Sequence, residues 1–168
     1  SGWGFLNVKF NLNMSAVQLQ NDGVVELFAE RFAFHNIDPG RIVIEITEST
    51  LQSAKARDVL IKIKALGVIV SIDDFGTGYS SLSYLSEFPV TGIKIDREFV
   101  GTMLSDSRKR AIVESSVGLA HAMDLSVVAE GPEDQATLEA LEQMGCDDLA
   151  QGYIYAPPMP ANEFQDYF

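Results

Sequence analysis

Two adjacent carboxylates, Asp73 and Asp74, are the residues of this chain that are best suited to chemistry. They follow the apolar run 68–72 and precede a loop rich in glycine and hydroxyl side chains. Two neighbouring negative charges are costly unless a positive charge offsets them, and hard divalent cations bind carboxylate oxygens. The pair therefore indicates either a metal site or, more simply, a strand end whose Asp caps the next helix.

Further polar residues stand at the ends of the other apolar runs, and this recurrence favours the metal site. They are Asn13, Glu45, Glu48, Lys94, Asp96, Glu130 and Gln151. In parallel α/β folds the carboxyl ends of the strands meet at one rim, and ligands bind there. Helix capping alone explains such a set poorly. The sequence therefore predicts a metal site at the rim of a (β/α) barrel.

The elements that must position these residues are short apolar runs that alternate with amphipathic segments. The predicted strands are Val8–Leu12, Ile42–Ile46, Val68–Ile72, Gly92–Ile95, Ser126–Ala129 and Leu149–Tyr155. The predicted helices are Val24–Phe34, Ser53–Leu66, Arg108–Met123 and Glu133–Met144. Ser53 is the expected N-cap of its helix, and Gly67 and Gly145 are expected helix stops. Strands separated by helices predict right-handed βαβ units and a parallel sheet.

The composition limits the classes of function. At 168 residues and 46% apolar content, the chain is expected to form a single domain over residues 1–168. The net charge of −12 argues against electrostatic binding to DNA or to an anionic membrane. No apolar run approaches the ~18 residues that a transmembrane helix needs. The single cysteine, Cys146, excludes an internal disulfide and fits a reducing cytoplasm.

The motifs, taken together, resemble the EAL-domain family, bacterial phosphodiesterases that hydrolyse the second messenger cyclic di-GMP. The matching stretches are Asn13-Met14-Ser15, Glu45-Ile46-Thr47-Glu48-Ser49, Asp73-Asp74-Phe75-Gly76-Thr77-Gly78, Lys94-Ile95-Asp96, Ala129-Glu130-Gly131 and Gln151-Gly152-Tyr153. The resemblance implies an α/β fold, the (β/α)8 TIM-type barrel. The family's Glu-Ala-Leu segment has no counterpart here, and a full barrel needs ~250 residues. We therefore expect a partial EAL domain of about six strands that is inactive by itself.

The resemblance also assigns roles to individual residues. Two Mg²⁺ or Mn²⁺ ions are expected on Asn13, Glu45, Asp73, Asp74 and Glu130. The expected catalytic residues are Lys94, Gln151, Glu48 and Glu133, and the expected substrate contacts are Asp96, Thr77 and Gly78. Lys94 would bind the nucleophilic water or a phosphate oxygen; the alternative is an ion pair with Asp96 or another rim acid. Glu48 would hold the loop 75–81; the alternative is an N-cap or first-turn acid of the next helix.

The implied function is metal-dependent hydrolysis of cyclic di-GMP to pGpG. The alternatives are a catalytically silent receptor that binds cyclic di-GMP and signals through partner contacts, and a barrel enzyme for another phosphate ester. The resemblance further implies a homodimer, fusion to sensory or GGDEF domains, and a cytoplasmic location in a parent protein that is free or anchored at the inner membrane. Two departures stand out. Pro132 replaces the usual valine and is expected in the first turn of a helix, and Pro157 removes a cationic contact to the ligand.

Overall fold

The computed structural model of the chain describes residues 8–21, 23–78, 82–146, 148–151, 159–160 and 163. The strands are β1 (Phe10–Asn13), β2 (Ile42–Thr47), β3 (Ile69–Phe75), β4 (Gly92–Ile95), β5 (Ser126–Glu130) and β6 (Asp148–Gln151). The α-helices are α1 (Ala16–Leu19), α2 (Val24–His35), α3 (Ala54–Ala65), α4 (Leu82–Glu87), α5 (Arg97–Val100), α6 (Ser107–Ala122) and α7 (Gln135–Met144). Short 3₁₀ helices cover Pro39–Arg41 and Glu48–Gln52.

The six strands form one sheet in the order β1-β2-β3-β4-β5-β6, and every neighbouring pair is parallel. Each strand therefore pairs with the next one along the chain, as in a barrel wall, and the order never reverses as it does in a doubly wound sheet. Within the described part of the chain, β1 and β6 do not pair with each other. This arrangement confirms the prediction of an incomplete barrel with about six strands.

The predicted element bounds agree with the structure to within a few residues. The first strand begins at Phe10 rather than at Val8, and the last covers Asp148–Gln151. The predicted continuation of that last strand, from 152 to 155, lies outside the described residues. The predicted N-cap of α3 is confirmed, because Ser53 Oγ accepts a hydrogen bond of 3.2 Å from Ala56 N–H.

The start of α7 corrects one prediction. The helix begins at Gln135 rather than at Glu133, because Asp134 caps it by accepting a hydrogen bond of 2.7 Å from Thr137 N–H. Pro132 therefore lies in the connection before the helix, where it is buried, and not in the first helical turn. The start of the helix is therefore set by the Asp134 cap and not by the preference of proline for the first helical turn.

The two faces of the sheet differ in character, because alternate residues of a strand point to opposite sides. One face packs against helices such as α3 and α6 and is almost fully buried. Its side chains are Ile44, Ile46, Val70, Ile72, Ile93, Ile95, Val127 and Ala129. The other face carries the polar residues Glu45, Ser71 and Lys94, each buried as well. The apolar face therefore packs the sheet against its helices, and the polar face carries the side chains that could form a functional site.

The first strand forms an exposed edge in the described part of the chain. All four of its residues are exposed, and Phe10 and Leu12 leave 45% and 42% of their surface accessible. A groove of about 760 Å³ runs between this strand and α2, with Leu12, Met14, Val24 and Phe28 in its lining. Among the described residues, no helix is both long and apolar enough to cross a bilayer.

Candidate metal centre

Three of the predicted metal ligands converge on one lysine. Lys94 Nζ lies 2.9 Å from Glu45 Oε1 and 3.2 Å from Asp73 Oδ1, and it also contacts Glu130 Oε1. The four residues come from β2, β3, β4 and β5, four consecutive strands of the sheet. Parallel pairing with little offset places their carboxyl ends side by side, so residues far apart in the chain meet at the rim. Among the described residues, Lys94 pairs with these acids and not with Asp96.

A bulge in β3 brings the neighbouring carboxylate into the same cluster. In a regular strand, Asp73 and Asp74 would point to opposite faces. The β3–β4 pairing shifts register between Ile72 and Phe75, and Asp74 has a φ of 53°. An extra residue of this kind re-aims the side chains around it. As a result, carboxylate oxygens of Asp73, Asp74 and Glu130 lie within 4.8 Å of one another.

The electrostatics of the cluster show a deficit of positive charge. Burial raises the pKa of Glu45, although nearby Lys94 counteracts this. Burial, a hydrogen bond with Asp96 and the charge of Asp73 raise the pKa of Asp74 to about 6. Burial alone would lower the pKa of Lys94, but its contacts with Glu130 and Glu45 outweigh that effect and raise it. One ammonium group therefore faces four carboxylates, and the local charge favours further cations.

The donor atoms of the cluster fit a hard divalent cation. Among the described residues, Glu45 Oε1 and Asp73 Oδ1 are buried and accept no hydrogen bond of ordinary geometry, apart from their ion-pair contacts with Lys94. Buried oxygens are almost always satisfied by a partner. The available donors are carboxylate oxygens, which suit Mg²⁺ or Mn²⁺ better than Zn²⁺. The cluster thus offers both the negative charge and the buried carboxylate oxygens that such an ion requires, although Lys94 contacts two of those oxygens.

Glu48 connects the rim to the glycine-rich loop after β3. It stands at the start of the 3₁₀ helix that follows β2, and its Oε1 accepts a hydrogen bond of 2.7 Å from Gly76 N–H. A Cβ atom added at Gly78 would overlap with Glu48 Oε2. Glu48 therefore lies in the first turn of a 3₁₀ helix and also binds the backbone of the loop after β3. The two roles considered for it from the sequence are compatible.

The predicted substrate contacts Thr77, Gly78 and Asp96 follow β3 and β4, the strands that carry Asp73 and Lys94. Asp96 follows β4 and caps α5, because its Oδ1 accepts a hydrogen bond of 2.6 Å from Glu98 N–H. Thr77 is exposed, and its Oγ1 donates a hydrogen bond of 2.9 Å to the Asp74 carbonyl oxygen. Gly78 is exposed next to it. These residues border the acids, and Asp96 in addition influences Asp74 directly.

The remaining predicted site residues differ in how closely they approach the cluster. Asn13 is the register partner of Glu45 and thus shares its face, but it is exposed on the edge strand. Gln151 ends β6 as the register partner of Glu130, and its side chain lies outside the described part of the structure. Glu133 is exposed in the connection before α7, and no described contact joins it to the cluster. The catalytic role expected for Glu133 therefore stays a prediction.

One residue that shapes the site, Gly131, lies in a motif quoted from the sequence but received no role there. Gly131 directly follows Glu130 and has a φ of 69°, a conformation that favours glycine. A Cβ atom there would come within 2.8 Å of Arg97 Cβ. The glycine therefore lets β5 end against α5 at the point where Glu130 enters the cluster. A glycine immediately after a strand-end acid is the signal that could have identified it.

Comparison with known proteins agrees with this geometry. A family model described as EAL domain matches residues 3–158. The chain is 42% identical over 154 residues to the bifunctional diguanylate cyclase/cyclic di-GMP phosphodiesterase MucR of Pseudomonas aeruginosa, covering 90% of this chain and 22% of MucR. It is 39% identical over 164 residues to the cyclic di-GMP phosphodiesterase RocR of the same organism, covering 96% of this chain and 41% of RocR.

Solved structures show the same similarity in three dimensions. The MucR phosphodiesterase in complex with cyclic di-GMP superimposes with a TM-score of 0.89 at 38% identity, covering 96% of this chain and 66% of that one. The manganese and cyclic di-GMP complex of Klebsiella pneumoniae BlrP1 gives a TM-score of 0.81 at 31% identity, covering 89% and 39%. The chain thus spans 41% of RocR and 22% of MucR, while the family match extends over nearly all of its own length. The chain belongs to the EAL domain family.

Proposed function

We propose that this chain supplies most of the catalytic rim of a metal-dependent phosphodiesterase that hydrolyses cyclic di-GMP to linear pGpG. The observation that carries the proposal is the cluster in which Asp73, Asp74 and Glu130 place oxygens within 4.8 Å of one another beside a buried lysine. Membership of a family whose relatives are named cyclic di-GMP phosphodiesterases supports the choice of substrate.

The proposed metal ligands are the acids of the cluster together with the amide on the edge strand. They are Asn13, Glu45, Asp73, Asp74 and Glu130, and they would hold two Mg²⁺ or Mn²⁺ ions. Divalent ions bound there supply Lewis acidity toward a phosphate oxygen and lower the pKa of a water. The buried oxygens Glu45 Oε1 and Asp73 Oδ1, whose described contacts are with Lys94, support this assignment, as does the manganese in the BlrP1 complex.

The other residues of the rim would orient the reactants. Lys94 is buried among the acids, and its ammonium would bind the attacking water or a phosphate oxygen while one P–O ester bond breaks. Glu48 would fix the loop that presents Thr77 and Gly78 to the substrate, a role that its hydrogen bond with Gly76 supports. Gln151 would orient the water from β6, and Asp96 would contact the substrate at the end of β4.

The direct test is incubation of the full-length protein with cyclic di-GMP and Mg²⁺ or Mn²⁺, with pGpG measured by chromatography. We expect product with either ion and none after chelation. The variant Asp73→Asn should lose activity, whereas Asp58→Asn, which changes an acid that is 67% exposed on α3, should not. Tight binding of cyclic di-GMP without product under both ions would overturn the proposal and leave a receptor.

The proposed partner is therefore cyclic di-GMP itself. A homodimer, a fusion to sensory or GGDEF domains and a cytoplasmic location are expected from the resemblance to the family. Light scattering during size-exclusion chromatography of the full-length protein measures the first of these, and a monomeric mass with full activity would contradict it.

A further inference from the structure

We infer that Lys94 is a built-in counter-cation that holds the acid cluster in place and competes with divalent ions for the same carboxylate oxygens. On this inference, ion binding releases the ammonium group from the acids and makes it available to the substrate phosphate. The inference rests on the proposed metal site, and it adds a coupling between ion uptake and the position of the lysine.

The ammonium group of Lys94 contacts three of the acids proposed as metal ligands. Lys94 Nζ reaches Glu45 Oε1 at 2.9 Å and Asp73 Oδ1 at 3.2 Å, and it contacts Glu130 Oε1. All three oxygens belong to residues proposed as metal ligands, so the lysine lies among the atoms that an ion would use. Asp74, the remaining acid of the cluster, instead interacts with Asp96.

The ammonium group and the acids that it contacts are largely buried, and burial strengthens the interactions between their charges. The Lys94 side chain is only 4% exposed, and those of Glu45 and Asp73 are 4% and 16% exposed. Carboxylates removed from water in this way repel one another strongly unless a cation lies between them. The ammonium group therefore keeps several like charges together, and they stay close to the arrangement that an ion needs.

The same contacts oppose the entry of an ion. A divalent cation that binds Glu45, Asp73 or Glu130 would lie beside the ammonium group and be repelled by it. Ion binding must therefore move Lys94 away from these oxygens, or the repulsion will weaken the binding of the ion. A lysine has a flexible stem of four carbons and can swing toward solvent or ligand. Once moved, its charge would be available to a negatively charged ligand at the rim.

The test measures Mn²⁺ binding to the metal-stripped full-length protein by isothermal titration calorimetry. The variant Lys94→Met should bind Mn²⁺ about tenfold more tightly, because it removes a positive charge that repels the ion. Without metal, the Tm of Lys94→Met should be lower than that of the wild type. Adding Mn²⁺ should raise the Tm of the variant by more than it raises the Tm of the wild type. The matched control is Lys109→Met, which also removes one charge but from a partly exposed pair with Glu98, away from the acid cluster; it should change neither the Mn²⁺ affinity nor the effect of Mn²⁺ on Tm.

A second measurement needs no variant. Acetylation of Lys94 in the wild-type protein, followed by mass spectrometry, should proceed faster with Mn²⁺ bound than without it, whereas the rate at Lys109 should stay constant. Unchanged reactivity at Lys94, or a Lys94→Met protein that folds and binds Mn²⁺ no more tightly than the wild type, would overturn the inference. If the wild type still produces pGpG in that case, the proposed function stands. A wild type that binds no Mn²⁺ and makes no product would overturn both.

Discussion

Glu48 Oε1 accepts a hydrogen bond of 2.7 Å from Gly76 N–H across 28 positions of sequence, and this contact ties the turn after β2 to the loop after β3. The Glu48 side chain is buried and the bond is partly buried, and a hydrogen bond to a charged acceptor is worth more than one between neutral groups. The loop that follows Asp73 and Asp74 is thereby attached to a neighbouring strand end. Two predictions depend on this attachment.

The first prediction concerns the carboxylate itself. Glu48→Ala should lower the free energy of unfolding by about 1.5–3 kcal/mol, the usual worth of a hydrogen bond to a charged group. It should also reduce pGpG production, because the loop loses its anchor. Glu48→Gln retains an oxygen acceptor and should lie much closer to the wild type. Urea denaturation and product chromatography measure the two effects; equal losses in the two variants would argue that charge, not the hydrogen bond, is what matters.

The second prediction concerns the glycine that faces the same carboxylate. A Cβ atom at Gly78 would overlap with Glu48 Oε2, so Gly78→Ala should displace the loop and lower the pGpG rate about 10- to 100-fold. The matched control is Gly118→Ala in α6, where an added Cβ meets nothing within 4 Å. That change should stabilise the helix by about 0.5–1 kcal/mol and leave the rate unaffected. A Gly78→Ala protein with the wild-type rate would show that the loop adapts.

The third prediction is a pH dependence at the start of α7. Hydrogen bonds from the Thr137 backbone and side chain lower the pKa of Asp134 below 3.8. A carboxylate with a lowered folded-state pKa contributes stability above its unfolded pKa, and that contribution is lost as the pH falls through the folded value. Asp134→Asn should keep the cap but abolish its part of the stability change between pH 5 and about pH 2, and Asp134→Ala should be less stable than the wild type at pH 7. Thermal unfolding across this pH range measures both; identical pH profiles for wild type and Asp134→Asn would contradict the assignment.

Most of the acid cluster could be predicted from the sequence, because its position follows from two general properties of parallel sheets. Strand periodicity predicted the parallel sheet, and the rule that parallel strands share a functional edge predicted that Glu45, Asp73, Lys94 and Glu130 would lie near one another. The structure bears out their proximity. The partner of Lys94 was left open, since the choice between Asp96 and the other acids depends on which face each side chain occupies. Asp96 lies beyond the strand end and caps α5.

Other features depend on contacts that no local pattern encodes. The carboxylate of Asp74 joins that of Asp73 only because the pairing with β4 shifts register, and a register shift involves two distant segments. The start of α7 was misplaced, since the proline rule favoured Pro132 while the cap at Asp134 determined the helix. Glu133 was assigned by resemblance alone, and its exposed position gives no physical reason for a catalytic role.

The last prediction concerns Asp73, which has two functions in the cluster. It contacts Lys94 at 3.2 Å and also contributes an oxygen to the group formed with Asp74 and Glu130. In the full-length protein, Mn²⁺ at 100 times its Kd should raise the free energy of unfolding by about 2.7 kcal/mol, because the ion binds only the folded state. Asp73→Asn should remove this stabilisation, since an amide cannot balance the charge of a shared cation. Asp58→Asn, on the exposed surface of α3, should retain it. Thermal unfolding with and without Mn²⁺ measures the difference, and full stabilisation of Asp73→Asn would place the ion away from β3.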